Sequence, residues 1–250
     1  MTGRAEAATT PRRDLVLALE TATLACSVAV ADGEGRLLAE ISSEVGPAHA
    51  QRLLPDAHRA LAMCEAGLDD VDTLLVSLGP GSFTGLRIGV ATARALAQAA
   101  PRLRLVGVPT PAALAQALAD GDARASAETF VPLIDGRRGE VFAARYERGG
   151  GGLVAAEPRL AVVRAADLAA FLAPWPDALV GGDGARRYAD RLPPTAHRAR
   201  AVAAPTAAML VRAWRERVPG TVAGIGRVLP IYGRRADAAR WAPARAEARR

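Results

Sequence analysis

Residues 76–100 read VSLGPGSFTGLRIGVATARALAQAA. The apolar run Thr73 to Leu78 leads into Gly79, Pro80 and Gly81, and a long helix-forming segment follows, so the stretch predicts a strand, a glycine-rich loop and a helix. Ser82 and Thr84 read as helix caps, because short hydroxyl side chains accept from the free N–H groups of a first helical turn. Gly85, Gly89, Ala93 and Ala97 recur every fourth residue, which lines up small side chains along one helix face as a groove for another helix. Phosphate binding is the competing reading of such a loop. A P-loop requires Lys followed by Ser or Thr, and the chain has no Lys. A GxGxxG fingerprint would need Gly in place of Thr84, and a GxSxG elbow around Ser82 fails at Pro80 and Thr84. A structural turn remains, joined to a helix whose small face invites pairing, since interior glycines cost about 1 kcal/mol each relative to Ala.

The chain has 250 residues, enough for one large or two smaller cores, and half of them are apolar. No apolar run approaches membrane-spanning length. The opening residues, MTGRAEAATTPRRD, lack an apolar core segment, so residues 1–13 read as a disordered tail and not a secretory signal. Cys26 and Cys64 form no CxxC pair, and a reduced, cytoplasmic protein is the simplest account. The net charge is +6, all 32 basic side chains are Arg, and they concentrate in the ending YGRRADAARWAPARAEARR. That ending could meet RNA phosphates or stay solvated.

In chain order, strands are predicted at Asp14 to Glu20, Ala25 to Ala31 and Arg36 to Ser42, joined by turns short enough to force an antiparallel meander. A helix at Ala48 to Ala66, the strand and helix of the opening stretch, a strand at Leu103 to Val108 and a helix from Pro111 complete a βββαβα unit. After a polar stretch at Ala119 to Glu128, strands at Thr129 to Ile134, Glu140 to Tyr146 and Leu160 to Val163 follow. A helix at Ala165 to Leu172, a strand at Ala178 to Val180 and a helix at Gly184 to Leu192 then repeat the order. Two tandem units resemble the duplicated ribonuclease-H-like plan of actin, hexokinase and Hsp70. The expected α/β domains are residues 14–120 and 121–222, with an Arg-rich tail at 223–250.

The chemistry legible in these residues is sparse. His49 and His58 lie nine residues apart, about 180° around a helix, and share no metal on that geometry. Pro55 between them removes a donor and crowds the carbonyl of Gln51. Glu20 and Asp135 end the first strand of each half, where actin-like phosphotransferases hold acidic residues across a cleft. The alternative is that both satisfy nearby backbone donors. No catalytic residue and no metal ligand is assigned.

The block GPGSFTGLRIGVATARALA resembles the TsaB (YeaZ) family. So do LALETATLACSVAVADG, HAQRLLPDAHRAL, PLIDGRRGEVFAARY and PIYGRRADAA, in consistent order over most of the chain. The resemblance implies the duplicated actin-like fold and a non-catalytic scaffold that binds and activates a TsaD-like catalytic subunit. Its setting would be N6-threonylcarbamoyladenosine modification at position 37 of ANN-decoding tRNAs, with a TsaE-like ATPase joining and tRNA reached through the complex. It also implies that ATP and metal sit on partner subunits, that the isolated chain forms a homodimer, and that no membrane is involved. By the same resemblance the docking surface comprises Leu53, Leu54 and Leu61 of one helix with Gly85, Gly89, Ala93 and Ala97 of the other, beside the loop and caps at Gly79, Gly81, Ser82 and Thr84. The TsaD metal pattern HxxxH is absent, since Leu53 stands four residues after His49. Glu20, Thr21, Ala22 and Thr23 replace the family's Asp-Thr-Ser-Thr. Two other readings are an actin-like phosphotransferase or glycoprotease-like peptidase, and an RNA-binding module using the tail.

Overall fold

The computed structural model describes residues 14–46, 48–121 and 127–233. The tail expected at 1–13 and the last residues, 234–250, lie outside the described residues. The first half runs β1 (Leu15–Glu20), β2 (Ala25–Asp32), β3 (Leu37–Glu44), α1 (His49–Met63), β4 (Val71–Ser77), α2 (Phe83–Ala99), β5 (Arg104–Val108) and α3 (Thr110–Asp120). The second runs β6 (Thr129–Arg137), β7 (Glu140–Gly149), β8 (Gly152–Arg164), α4 (Leu168–Leu172), β9 (Leu179–Gly181), α5 (Asp183–Arg187), β10 (His197–Arg198) and α6 (Ala207–Arg215), and β11 (Val222–Ala223) follows.

Each half forms its own sheet. The first has the order β11-β5-β4-β1-β2-β3 and the second β10-β9-β6-β7-β8, so apart from β11 the strands correspond one for one. In both, an antiparallel meander continues into parallel strands, the duplicated ribonuclease-H-like plan. β1 lies at the centre of its sheet and is buried on both faces: Leu15, Leu17 and Leu19 point toward α1 and α2, while Val16 and Ala18 point the other way. That explains why its apolar run does not alternate with polar residues.

The helices sort into layers. α1 and α2 cover the outer face of the first sheet, and α4 and α5 that of the second. Between the sheets lie α3 and α6, packed on one another. α3 rests chiefly on the second sheet, at β6, β7 and β9, while α6 rests on the first. Leu114 and Leu118 of α3 and Leu210 and Val211 of α6 share one core with residues of both sheets.

Three expectations change. The division at 120/121 and 222 does not describe the packing, because each half's last helix lies on the other half's sheet. The expected tail from 223 is in part a packed strap: β11 pairs with β5, Val228 is fully buried, and the Ile231 amide donates to the Leu78 carbonyl at 2.7 Å. Arg94 of α2 holds the strap by donating to the carbonyls of Ile225 (2.5 Å) and Val228 (3.1 Å). The strand expected at Leu160 to Val163 is instead the long β8, paired with β7 from the Gly149–Gly152 turn onward. No helix among the described residues is long and apolar enough to cross a membrane.

Candidate functional site

The glycine loop and α2 are fixed by the turn between β1 and β2. Ser82 caps α2, its hydroxyl accepting from the Gly85 amide at 3.2 Å. Thr84, expected as a second cap, is an exposed residue within the first turn. Gly79 has φ +92°, a conformation that L side chains rarely adopt, with the Leu86 side chain and the Ile231 carbonyl crowding it. The Ser82 amide donates to the Ala22 carbonyl at 2.6 Å, and a Cβ on Gly81 would strike that same carbonyl. The loop's small residues therefore admit the chain's own backbone.

The same holds for the small-residue stripe, which corrects its assignment as a docking groove. Gly85, Gly89 and Ala93 are buried inside the chain, and Ala97 packs against the core of the first sheet. A Cβ on Gly85 would meet the Thr21 carbonyl, and one on Gly89 the Thr21 hydroxyl oxygen. On α1, Leu53 and Leu61 belong to that same core, at 1% and 4% exposure, whereas Leu54 is 51% exposed. What α1 shows to solvent includes Leu54, Pro55, His58, Arg59, Ala62 and Met63, with Ala50 and Gln51 near its start. α2 shows Phe83, Thr84, Arg87, Ala91, Ala95, Gln98 and Ala99. The two helices touch. At the N-terminal end of α2, exposed Phe83 packs on exposed Tyr232 with ring centroids 5.0 Å apart.

A cleft of ≈ 430 Å³ opens between the sheets, lined among others by Thr23, Ser42, Glu44, Asp135, Asp183 and Arg187. Glu20 lies behind it, fully buried at the end of β1. One carboxylate oxygen accepts from the Ala22 amide, and the other has no partner among the described residues. Burial pushes its pKa up to about 7, and the nearby Asp183 charge adds to the rise. Asp183, at the start of α5, accepts from the Asp135 amide at 3.1 Å. Burial, together with the Asp135 charge, carries it up to about 6. Asp135 accepts from the Arg137 amide at 2.9 Å and is flanked by the guanidiniums of Arg137 (3.4 Å) and Arg187 (3.5 Å). Glu20 and Asp135 thus satisfy the backbone two residues on. Asp183 went unremarked in the sequence, where only the run Gly181-Gly182-Asp183-Gly184 marks it.

The fold type raises the question of a metal–nucleotide cofactor, and these residues do not fit one. Asp135 is already neutralised by two arginines, Glu20 sits behind the Ala22 amide, and the glycine loop is filled by the turn after β1. Among the described residues no three His, Cys, Asp or Glu side chains could share a metal ion. His49 is buried, its Nε2 3.2 Å from the Ala25 carbonyl, while His58 is on the exposed side of the same helix. Burial also pushes the Cys26 thiol up to about 11, which leaves it inert.

Residues 41–189 match the family model described as TsaD: tRNA N6-adenosine threonylcarbamoyltransferase. The chain is 40% identical over 151 residues to the tRNA threonylcarbamoyladenosine biosynthesis protein TsaB of Escherichia coli, covering 60% of this chain and 62% of that protein. It is 38% identical over 134 residues to the Haemophilus influenzae protein of the same name, covering 53% and 54%. The matched region thus spans just over half the length of these relatives. Among solved structures, YeaZ from Pseudomonas aeruginosa superposes with a TM-score of 0.71 at 32% identity, over 88% of this chain and 99% of that one.

Proposed function

The chain belongs to the TsaB (YeaZ) family, and from that premise we propose that it is a non-catalytic subunit in threonylcarbamoyladenosine modification of tRNA, docking on a TsaD-like catalytic subunit. The observation that carries this reading is the solvent face of the α1–α2 pair. Leu54, Ala62 and Met63 are exposed on one helix and Ala91 and Ala95 on the other, the two helices touch, and Phe83 packs on Tyr232 at the N-terminal end of α2. Small residues on exposed helices let a partner helix approach to about 8 Å, and the larger apolar groups offer anchors. This surface replaces the glycine stripe in the docking role. The cleft supports the non-catalytic part of the reading, because Asp135 is held by the Arg137 amide and by the guanidiniums of Arg137 and Arg187. Catalysis, ATP and metal then belong to the TsaD-like subunit and a TsaE-like ATPase, and the same helix face serves a second copy when the partner is missing.

The test is reconstitution. The purified chain, the TsaD-like and TsaE-like proteins of the same cell, ATP, threonine, bicarbonate and unmodified tRNA are combined, and modified adenosine is read by mass spectrometry of digested tRNA. Modification that requires the chain, with a complex visible by size exclusion, supports the reading. Equal modification without the chain, or a chain that never co-elutes with the TsaD-like protein, rejects it.

A further inference from the structure

We propose that a basic notch at the edge of the second sheet holds the phosphodiester backbone of the tRNA, an inference that rests on the function proposed above. The notch measures ≈ 180 Å³ and lies where α5 meets the residues around β10; its floor includes Ala185 and Val202, and its charged lining residues are Arg186, Arg198 and Arg200. No carboxylate lines it. Among the described residues none of these three arginines makes an ion pair within 4 Å, although Asp183 lies close enough for the charge of Arg186 to lower its pKa. Neighbouring Arg187 and Arg191 differ, each being held by an aspartate.

Arginines from two elements line one concavity, where their like charges repel, and an anion placed among them relieves the repulsion. Charge on an edge strand often serves only to block unwanted pairing. That accounts for Arg198 on β10, yet not for Arg186 reaching the same notch from a different element. The size of the notch decides between anions. Pockets that enclose a small ligand run to about 300–1,000 Å³, so this one suits a single anionic group carried by a larger molecule. Its lining holds no aromatic side chain on which a base could stack. Contacts of this kind position a nucleic acid without reading its sequence.

The experiment measures binding of a fluorescently labelled, unmodified tRNA transcript to the full chain by anisotropy, across a salt series. The R186A/R198A/R200A variant is expected to bind at least about tenfold more weakly at low salt, with a salt slope shallower by about three, one for each arginine. The corresponding triple Lys variant should stay within about threefold of the original chain, since phosphate contacts need charge more than fork geometry. A control, R36A/R159A/R164A, removes the same charge from arginines already paired with Asp32, Glu157 and Asp167. The proposal is overturned if the control loses as much affinity as the notch variant, if the notch variant is unaltered, or if the parent chain does not bind at low salt. Displacement of the tRNA by millimolar ATP would assign the notch to free nucleotide and also overturn it. Size exclusion of each variant with the TsaD-like protein reads the docking function separately, because the notch is no part of the α1–α2 face.

Discussion

Thr21 fills the space in front of Gly89: a Cβ on that glycine would collide with the Thr21 hydroxyl oxygen, which itself has no hydrogen-bond partner among the described residues. The last residues of β1 and its turn therefore determine how small α2 must be at this point.

Gly89→Ala should lower the stability of the isolated chain by about 1–3 kcal/mol, the usual range for overpacking a closed core. For a chain of this size that is roughly 2–4 °C in melting temperature per kcal/mol. Thr21→Ala alone should cost little, and combined with Gly89→Ala it should recover most of the loss. Thermal melts of the three variants check this, and no recovery in the double variant would mean that something other than Thr21 closes the space.

Glu20 gives stability a pH dependence whose sign follows from its raised pKa. The native state holds this proton more tightly than the unfolded chain, so the contribution is fully present below the ordinary carboxyl pKa of 4.5 and is lost as pH rises through about 7. Glu20→Gln, which keeps the acceptor for the Ala22 amide, should be the more stable form at pH 8 by roughly 3 kcal/mol and should flatten the slope between pH 5 and 7. Urea denaturation at a series of pH values measures both. A slope unchanged by the substitution would show that Asp183 or another group carries it.

Neighbouring leucines of α1 should behave in opposite ways. Leu53→Ala removes a side chain that is 1% exposed and should cost about 2–5 kcal/mol of stability. Leu54→Glu, at a position 51% exposed, should leave melting unchanged and abolish co-elution with the TsaD-like subunit, as should Ala91→Arg on α2. Retention of the complex by both surface variants would move the docking face elsewhere.

Cutting the chain after Ala223 strips Val228 and Ile231 from the first sheet and should destabilise it. Arg94→Ala leaves two strap carbonyls without their donor. Loss of hydrogen bonds to a charged group costs about 1.5–3 kcal/mol, and faster amide exchange at Ile231 would locate the effect.

Much of the fold was readable because strands here are apolar runs punctuated by Asp, Gly and Pro, and because the two meanders repeat in order. The Ser82 cap was equally local, three residues from the amide it accepts. Direction is what local sequence leaves open. A four-residue period gives the spacing of Gly85, Gly89 and Ala93 but not the side of the helix that meets the sheet, which depends on Thr21, distant in sequence. The place of α6 is similarly long-range: the Ala207 amide donates to the Ser27 hydroxyl at 2.9 Å across 180 residues. Asp183 is marked only by its flanking glycines, because its character comes from burial beside Asp135, which no motif encodes.

The crossing of α3 and α6 between the sheets has a mechanical consequence. Since each half lends its final helix to the other, neither sheet keeps a complete core if the halves part, and the lobes cannot swing about a simple hinge. Any relative motion has to slide α3 along α6. The molecule is built like a swapped dimer whose two copies share one backbone, so severing that backbone between residues 121 and 127 should yield fragments that are each insoluble or unfolded alone and that regain structure on mixing.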